Sequence, residues 1–114
     1  MSYFVGLMLG SSIDSVDAVV VAAASQSDEI MHQLQLIATT AVDINLDFKK
    51  KLLPITAYAD LKLVDIALVE LEITQIMSDA VEKVIDLANI NKTEIKAIGA
   101  HGYTCMHQPK LLNS

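Results

Sequence analysis

Residues 6–21, GLMLGSSIDSVDAVVV, place a small polar loop with two aspartates between two apolar runs. The apolar runs are continuous and have the length of buried strands. The glycine and serines between them are typical of a tight turn. The stretch therefore predicts a β-hairpin, to which the rest of the chain adds further strands and helices.

The same loop has the composition of an anion-binding turn. Gly10, Ser11 and Ser12 would present backbone N–H groups and hydroxyls toward one point, which suits phosphate oxygens. Asp14 and Asp17 carry the oxygen ligands that Mg²⁺ prefers. Neither of the two common glycine-rich nucleotide-binding patterns is present. From these residues alone a plain hairpin is the default, and a phosphate-binding hairpin is the alternative.

Composition favours an α/β protein of one domain or part of one. The chain has 114 residues, of which 53% are hydrophobic and only 4% aromatic. A core of Val, Ile, Leu and Ala suits strands covered by helices. The net charge of −6 argues against nucleic acid, whose binding needs a basic surface. The one cationic cluster, Lys49–Lys51, is interpreted as a solvated helix face.

Cysteine content and hydropathy predict a cytoplasmic chain. The single cysteine, Cys105, excludes an internal disulfide and fits a reducing compartment. No apolar run approaches the roughly 18 residues that a membrane-spanning helix needs. The N-terminus has no basic residues ahead of its first apolar run, unlike a signal peptide.

Apolar patterning predicts three strands in the first third of the chain. They are placed at Tyr3–Leu9, Val16–Ala24 and Glu29–Ala41. Short polar turns join them, so we expect an antiparallel meander.

Two helices and a fourth strand follow. Asn45 is expected to cap a short helix at Leu46–Leu53, which Pro54 ends. A longer helix is predicted from about Leu63 to Ala88. The strand after it is placed at Thr93–Ala100, and because a crossover helix precedes this strand, we expect it to be parallel to a neighbouring strand. The apolar stripe of the long helix comprises Ile66, Val69, Ile73, Ile76, Ala80, Val84 and Leu87.

The segment HGYTCMHQP, residues 101–109, follows the fourth strand, at the sheet end where α/β proteins bind ligands. His101, Cys105 and His107 share one side of an extended chain, which is one pattern for a metal site. No carboxylate accompanies them, and nothing orients a base for a Cys–His nucleophile. The histidines are better interpreted as polar groups that line a cleft.

Two motifs taken together resemble one enzyme family. GLMLGSSIDSVD resembles the pattern G-x-M-S-G-T-S-x-D-G-x-D near the start of anhydro-N-acetylmuramic acid kinases. AIGAHGYTCMHQP resembles the family's later A-I-G-x-H-G-Q-T-x-x-H-x-P. Between them, QIMSDAVEKVIDLANINKTEI is similar to the family's long helix and the strand after it. The resemblance spans nearly the whole chain.

The resemblance implies the N-terminal part of a ribonuclease H-like (actin-like ATPase) domain. This α/β fold has three antiparallel strands, a long crossover helix and a parallel fourth strand. In the superfamily of sugar kinases and actin, two such domains close over ATP. Residues 1–114 would be part of the first of these domains, and the second domain would be absent from the chain.

The activity that the resemblance implies is that of a sugar kinase. Members phosphorylate 1,6-anhydro-N-acetylmuramic acid with ATP while water opens the anhydro ring, and the product, N-acetylmuramic acid 6-phosphate, enters peptidoglycan recycling. By this resemblance, the ATP phosphates and Mg²⁺ are held by Gly10, Ser11, Ser12, Asp14 and Asp17, of which the two aspartates face the metal.

The second motif is assigned to the sugar side of the cleft by the same resemblance. Its candidate residues are His101, Gly102, Thr104 and His107.

Two departures from the family pattern affect the phosphate loop. Leu9 replaces a serine, which removes a hydroxyl. Ser15 replaces a glycine and would cost about 1–2 kcal/mol if that position needs a positive φ.

The family's catalytic aspartate and adenosine-binding region correspond to sequence beyond residue 114, so this chain alone is expected to be inactive. The alternative function is a non-catalytic remnant or interaction module that pairs its incomplete sheet or its long helix with a partner or with another copy of itself, through an open sheet edge and an uncovered apolar face.

Overall fold

The computed structural model describes residues 2–10, 13–24, 34–56 and 60–103. In chain order its main elements are β1 (Ser2–Leu9), β2 (Ser15–Ala23), β3 (Gln35–Asp43), α1 (Leu46–Thr56), α2 (Leu63–Ala88) and β4 (Ile95–His101). The strands form one sheet in the order β3-β2-β1-β4. β2 is antiparallel to both β1 and β3, and β4 is parallel to β1. The predicted α/β fold, with its meander, crossover helix and parallel fourth strand, is confirmed.

The core lies between the two helices and one face of the sheet. Because strand side chains alternate, every second residue of β1 and β2 faces the helices. The buried residues of this layer include Val5, Leu7, Leu9, Val16, Ala18 and Val20 from the strands, Phe48 and Leu52 from α1, and Val69, Ala80, Val84 and Ile85 from α2. The opposite face, here called the open face, is formed by the intervening residues Phe4, Gly6, Met8, Ser15, Asp17, Val19, Val21, Ala97, Gly99 and His101.

The bounds predicted for α2 are confirmed, and so is the middle of its apolar stripe. Ile66 and Leu87, at the two ends of the stripe, are exposed. The 26 residues of α2 extend about 39 Å, whereas the nine residues of β2 extend about 30 Å, so the helix overruns the sheet. Asn89 ends α2 in the left-handed conformation with a φ of 55°. No helix within the described ranges is long and apolar enough to cross a membrane.

The prediction that Pro54 ends α1 is wrong. The cap is confirmed, since the Phe48 N–H donates to Asn45 Oδ1 at 2.8 Å, but α1 continues to Thr56 with Pro54 inside it. A proline near the end of a helix removes one backbone hydrogen bond. Ile55 packs against the core, and this burial favours the final turn.

The observed β3 is shifted relative to its prediction. Residues 29–33 of the predicted strand lie outside the described residues, and Leu34 precedes β3. The strand ends at Asp43, two residues later than predicted, because Val42 and Asp43 still pair with Val16 and Ser15.

The fourth strand begins two residues later than predicted. Lys92–Glu94 form a 3₁₀ turn, in which the Asn91 side chain accepts a hydrogen bond from the Thr93 N–H at 3.3 Å. The backbone oxygen of Asn91 accepts another from the Glu94 N–H at 2.9 Å. These contacts compete with strand pairing, so β4 starts at Ile95. As one of the two edge strands of the described sheet, β4 is largely exposed.

Candidate functional site

The loop between β1 and β2 is closed by a strained but buried residue. The Ile13 N–H donates to the Gly10 oxygen at 3.1 Å, so the two described ends of the loop are joined by a backbone hydrogen bond. Ile13 has a φ of 57°, rare for a β-branched residue. Its side chain is only 2% exposed, so its burial in the core compensates for roughly 1–2 kcal/mol of backbone strain. The loop is therefore fixed to the core immediately before Asp14.

Asp14 is held on both its backbone and its side chain. Its backbone oxygen accepts a hydrogen bond from the Ile44 N–H at 3.0 Å, between β3 and α1. Its Oδ1 pairs with the Lys49 Nζ of α1 at 3.1 Å. The side chain is nevertheless 70% exposed, so the carboxylate is open to a solute while its backbone is fixed.

Asp17 lies on the open face rather than beside α1. The Ser15 Oγ donates to Asp17 Oδ1 at 3.4 Å. Met8 stands opposite Asp17 on one side and opposite His101 on the other. Two strand spacings of about 4.8 Å separate the Asp17 and His101 backbones by about 10 Å. The fold thus places one predicted phosphate residue and one predicted sugar residue in the same row of the sheet.

Two glycines lie next to this row on the open face of the sheet. Gly6 and Gly99 are paired across β1 and β4 on the open face. A Cβ at Gly99 would meet no heavy atom within 4 Å, whereas one at Gly6 would lie 3.2 Å from Val19 Cγ2. The surface beside Met8 and His101 is therefore flat, and another molecule or chain segment could approach the backbone closely.

The remaining candidates are only partly described. Gly10 and Gly102 flank the ends of β1 and β4, and Gly102 is exposed. The other predicted site residues lie outside the described residues, together with Cys105: Ser11, Ser12, Thr104 and His107. Within the described ranges, no three His, Cys, Asp or Glu residues are grouped so that they could hold a metal ion.

Both departures from the family pattern are accommodated by the fold. Leu9 is 1% exposed and belongs to the core, so its bulk is directed away from the solvent side of the loop. Ser15 is a strand residue, and the non-glycine residues with a positive φ among those described are Ile13 and Asn89. The strain expected at Ser15 is therefore absent, and it falls on Ile13 instead.

Sequence reasoning missed the role of the lysine cluster. The interpretation as a solvated face fits Lys50, which is exposed, but Lys49 pairs with Asp14 and Lys51 pairs with Glu72 of α2 at 2.7 Å. Lys49 and Asp14 are 35 residues apart, so no local spacing could indicate their contact. Only the packing of α1 beside the loop brings them together.

A groove of about 380 Å³ lies between α1 and α2. It is lined by Lys51, Pro54, Leu61, Asp65, Leu68, Val69 and Glu72. None of the predicted site residues lines it, so the groove and the loop are separate features.

The sheet order, the long crossover helix and the polar loop after β1 define the N-terminal part of an actin-like ATPase domain. The family model of anhydro-N-acetylmuramic acid kinase matches residues 2–113. The chain belongs to this kinase family.

Relatives from several bacteria agree with the family match. The anhydro-N-acetylmuramic acid kinase of Shewanella denitrificans is 35% identical over 109 residues, which are 96% of this chain and 28% of the relative. The corresponding kinase of Vibrio cholerae is 33% identical over 106 residues, 93% of this chain and 27% of the relative. The chain thus spans a little over a quarter of the length of these relatives.

Proposed function

We propose that this chain forms the phosphate-binding part of a cytoplasmic anhydro-N-acetylmuramic acid kinase. The reaction would transfer the γ-phosphoryl group of ATP to 1,6-anhydro-N-acetylmuramic acid while water opens the anhydro ring, a step of peptidoglycan recycling. The observation that carries the proposal is the anchoring of Ile13 and Asp14 at the end of the loop after β1. Membership of the kinase family and the exposed Asp14 carboxylate support it.

The loop would bind the phosphates and the metal from one side. Gly10, Ser11 and Ser12 would donate hydrogen bonds to phosphate oxygens. Asp14, beside α1, would hold Mg²⁺ together with the substrate phosphates, and Asp17, on the open face of the sheet, would reach the metal through bound water. The exposure of the Asp14 carboxylate agrees with this role. When bound, Mg²⁺ supplies positive charge that offsets the charge of the transferring phosphoryl group.

The sugar would bind at the same end of the sheet. His101, Gly102, Thr104 and His107 are the proposed contacts on that side. His101 ends β4 and shares its row with Met8 and Asp17, which supports a site that extends from the loop onto the open face. Ligands of α/β proteins commonly bind beyond the carboxyl ends of parallel strands, here β1 and β4.

Residues 1–114 expressed by themselves are proposed to bind Mg·ATP without turning it over. Phosphoryl transfer depends on positioning and on charge stabilisation from all sides of the reacting group. The described residues form one wall of such a site.

Calorimetry with Mg·ATP tests the binding role of the loop. The variant Asp14→Asn keeps the side-chain shape and removes the charge, so we expect nucleotide affinity to fall at least about tenfold. Asp60→Asn, which changes an exposed aspartate between α1 and α2, is the matched control and should bind like the parent chain. Equal affinity of the Asp14→Asn variant and the parent would contradict the proposal.

A second candidate function, self-association, is favoured by one observation. β4 is an edge strand, and its Ile98 is 52% exposed. A second copy could pair antiparallel with β4 about a two-fold axis at Ile98. This register sets Lys96 opposite Ala100, so no like charges face each other.

Sedimentation velocity separates this candidate from the kinase role. In a dimer of this kind, Ile98→Lys and Ile98→Glu should each be monomeric, because like charges would meet at the axis. An equimolar mixture of the two variants should dimerise again. A parent chain that sediments as a monomer at all concentrations would exclude this candidate.

A further inference from the structure

The proposed phosphate loop has acidic side chains and no basic one. Residues 10–17, GSSIDSVD, contain two aspartates, and the whole chain carries a net charge of −6. A nucleotide triphosphate adds further negative charge. Phosphate sites in proteins commonly use a lysine or arginine to offset such charge. The loop sequence does not supply this cation.

Lys49 brings a cation to this loop from α1. Its Nζ lies 3.1 Å from Asp14 Oδ1. Neither of the other two ion pairs among the described residues involves the loop: they join Lys51 to Glu72 and Lys92 to Glu82.

The position of this ammonium group also suits a phosphate bound next to Asp14. Mg²⁺ binds its oxygen ligands at about 2.0–2.1 Å in an octahedron, so neighbouring ligands are about 3 Å apart. A phosphate oxygen sharing the metal with Asp14 would therefore lie within about 6 Å of the Lys49 Nζ, a distance that the flexible lysine side chain can close. Lysine has three donors, so one ammonium group can serve the carboxylate and a phosphate oxygen together.

Lys49 is placed by a well-anchored part of α1. Its N–H donates to the Asn45 oxygen at 3.0 Å, within the capped first turn. Phe48 and Leu52, on the same helix, are buried in the core. The Lys49 side chain is 33% exposed, which is less than that of a freely solvated lysine. Less conformational entropy is lost when such a side chain binds a ligand.

We propose that Lys49 is a phosphate-binding residue whose ammonium group bridges Asp14 and the terminal phosphates of the nucleotide. The inference rests on the proposed function and extends it to a residue outside both sequence motifs. Lys49 would orient the Asp14 carboxylate and would offset charge at the β- and γ-phosphates.

Calorimetric titration with Mg·ATP and with AMP tests the proposal by binding alone. Lys49→Met should weaken Mg·ATP binding about ten- to one-hundred-fold, the range expected for a lost charge-assisted hydrogen bond. Binding of AMP, which lacks the terminal phosphates, should change much less. Lys50→Met, at the neighbouring exposed lysine, is the matched control and should bind like the parent chain.

Repeating the Lys49→Met substitution in an Asp14→Asn chain distinguishes contact with the phosphate from positioning of Asp14. If Lys49 contacts phosphate, Lys49→Met should still weaken Mg·ATP binding in a chain that already carries Asp14→Asn. Loss of the effect in that background would reduce Lys49 to a positioning role and overturn the proposed contact.

The failures of the two proposals are distinguishable. A parent chain that binds Mg·ATP while Lys49→Met and Lys50→Met bind equally well would overturn the role of Lys49 alone. A parent chain that does not bind Mg·ATP at millimolar concentration would overturn both proposals. Circular dichroism of each variant checks that the fold is retained.

Discussion

The left-handed conformation of Ile13 leads to an unusual prediction for stability. Replacing Ile13 by Ala removes a buried side chain and should lower the free energy of unfolding by about 2–5 kcal/mol. A further change from Ala to Gly normally lowers the free energy of unfolding by about another 0.5–1 kcal/mol, because glycine loses more backbone entropy on folding. At a φ of 57° the glycine also relieves about 1–2 kcal/mol of steric strain. Ile13→Gly should therefore be more stable than Ile13→Ala, by about 0.5–1 kcal/mol.

Ile44 provides the matched control for this comparison. It is also a buried isoleucine outside the helices and strands, and it contacts the same loop through Asp14. Its φ is not positive, so Ile44→Gly should be less stable than Ile44→Ala. Urea unfolding followed by circular dichroism gives all four values, with sucrose added equally to each sample if the variants are marginally stable. The same order of stability at both positions would refute the strain argument.

Three further predictions concern the core, the end of α2 and turnover. Leu52→Ala, at a fully buried residue, should lower the free energy of unfolding measured in urea titrations by about 2–5 kcal/mol. Leu53→Ala, at its exposed neighbour, should change the same quantity by less than about 0.5 kcal/mol. Asn89→Gly should raise the melting temperature, because glycine adopts the left-handed end of α2 without a steric cost, and Asn89→Ala should lower it. A coupled assay with ATP and 1,6-anhydro-N-acetylmuramic acid measures ADP formation by the polypeptide of residues 1–114. It should form ADP no faster than its Asp14→Asn variant. Clear turnover by the parent would contradict the proposal that these residues bind Mg·ATP without turning it over.

Much of the fold follows from local patterns in the sequence. The continuous apolar runs of β1 and β2 and the three- and four-residue steps of α2 each predict their element to within a residue or two. The end of α1 could not be predicted in this way, because Pro54 favours a stop while the packing of Ile55 against the core favours another turn. The start of β4 depends on the hydrogen bonds that the side chain and the backbone oxygen of Asn91 accept, and the apolar periodicity of the sequence gives no sign of them.

The candidate site was less accessible to sequence reasoning than the fold. The motif around Asp14 indicates a phosphate loop, but the strain falls on Ile13 rather than Ser15, because the burial of Ile13 sets the loop conformation. The Lys49 contact depends on tertiary packing across 35 residues. The neighbouring positions of Asp17 and His101 depend on strand register, which only the paired sheet reveals.

Backbone amide chemical shifts measured during a titration with Mg·ATP test the central claim most directly. The account predicts that the largest changes fall on the loop and its contacts, at Gly10, Ile13, Asp14, Ile44 and Lys49, and that these changes need Mg²⁺. Changes confined to the groove between α1 and α2, around Leu68 and Val69, or no changes at millimolar nucleotide, would contradict the assignment of the loop as the phosphate site.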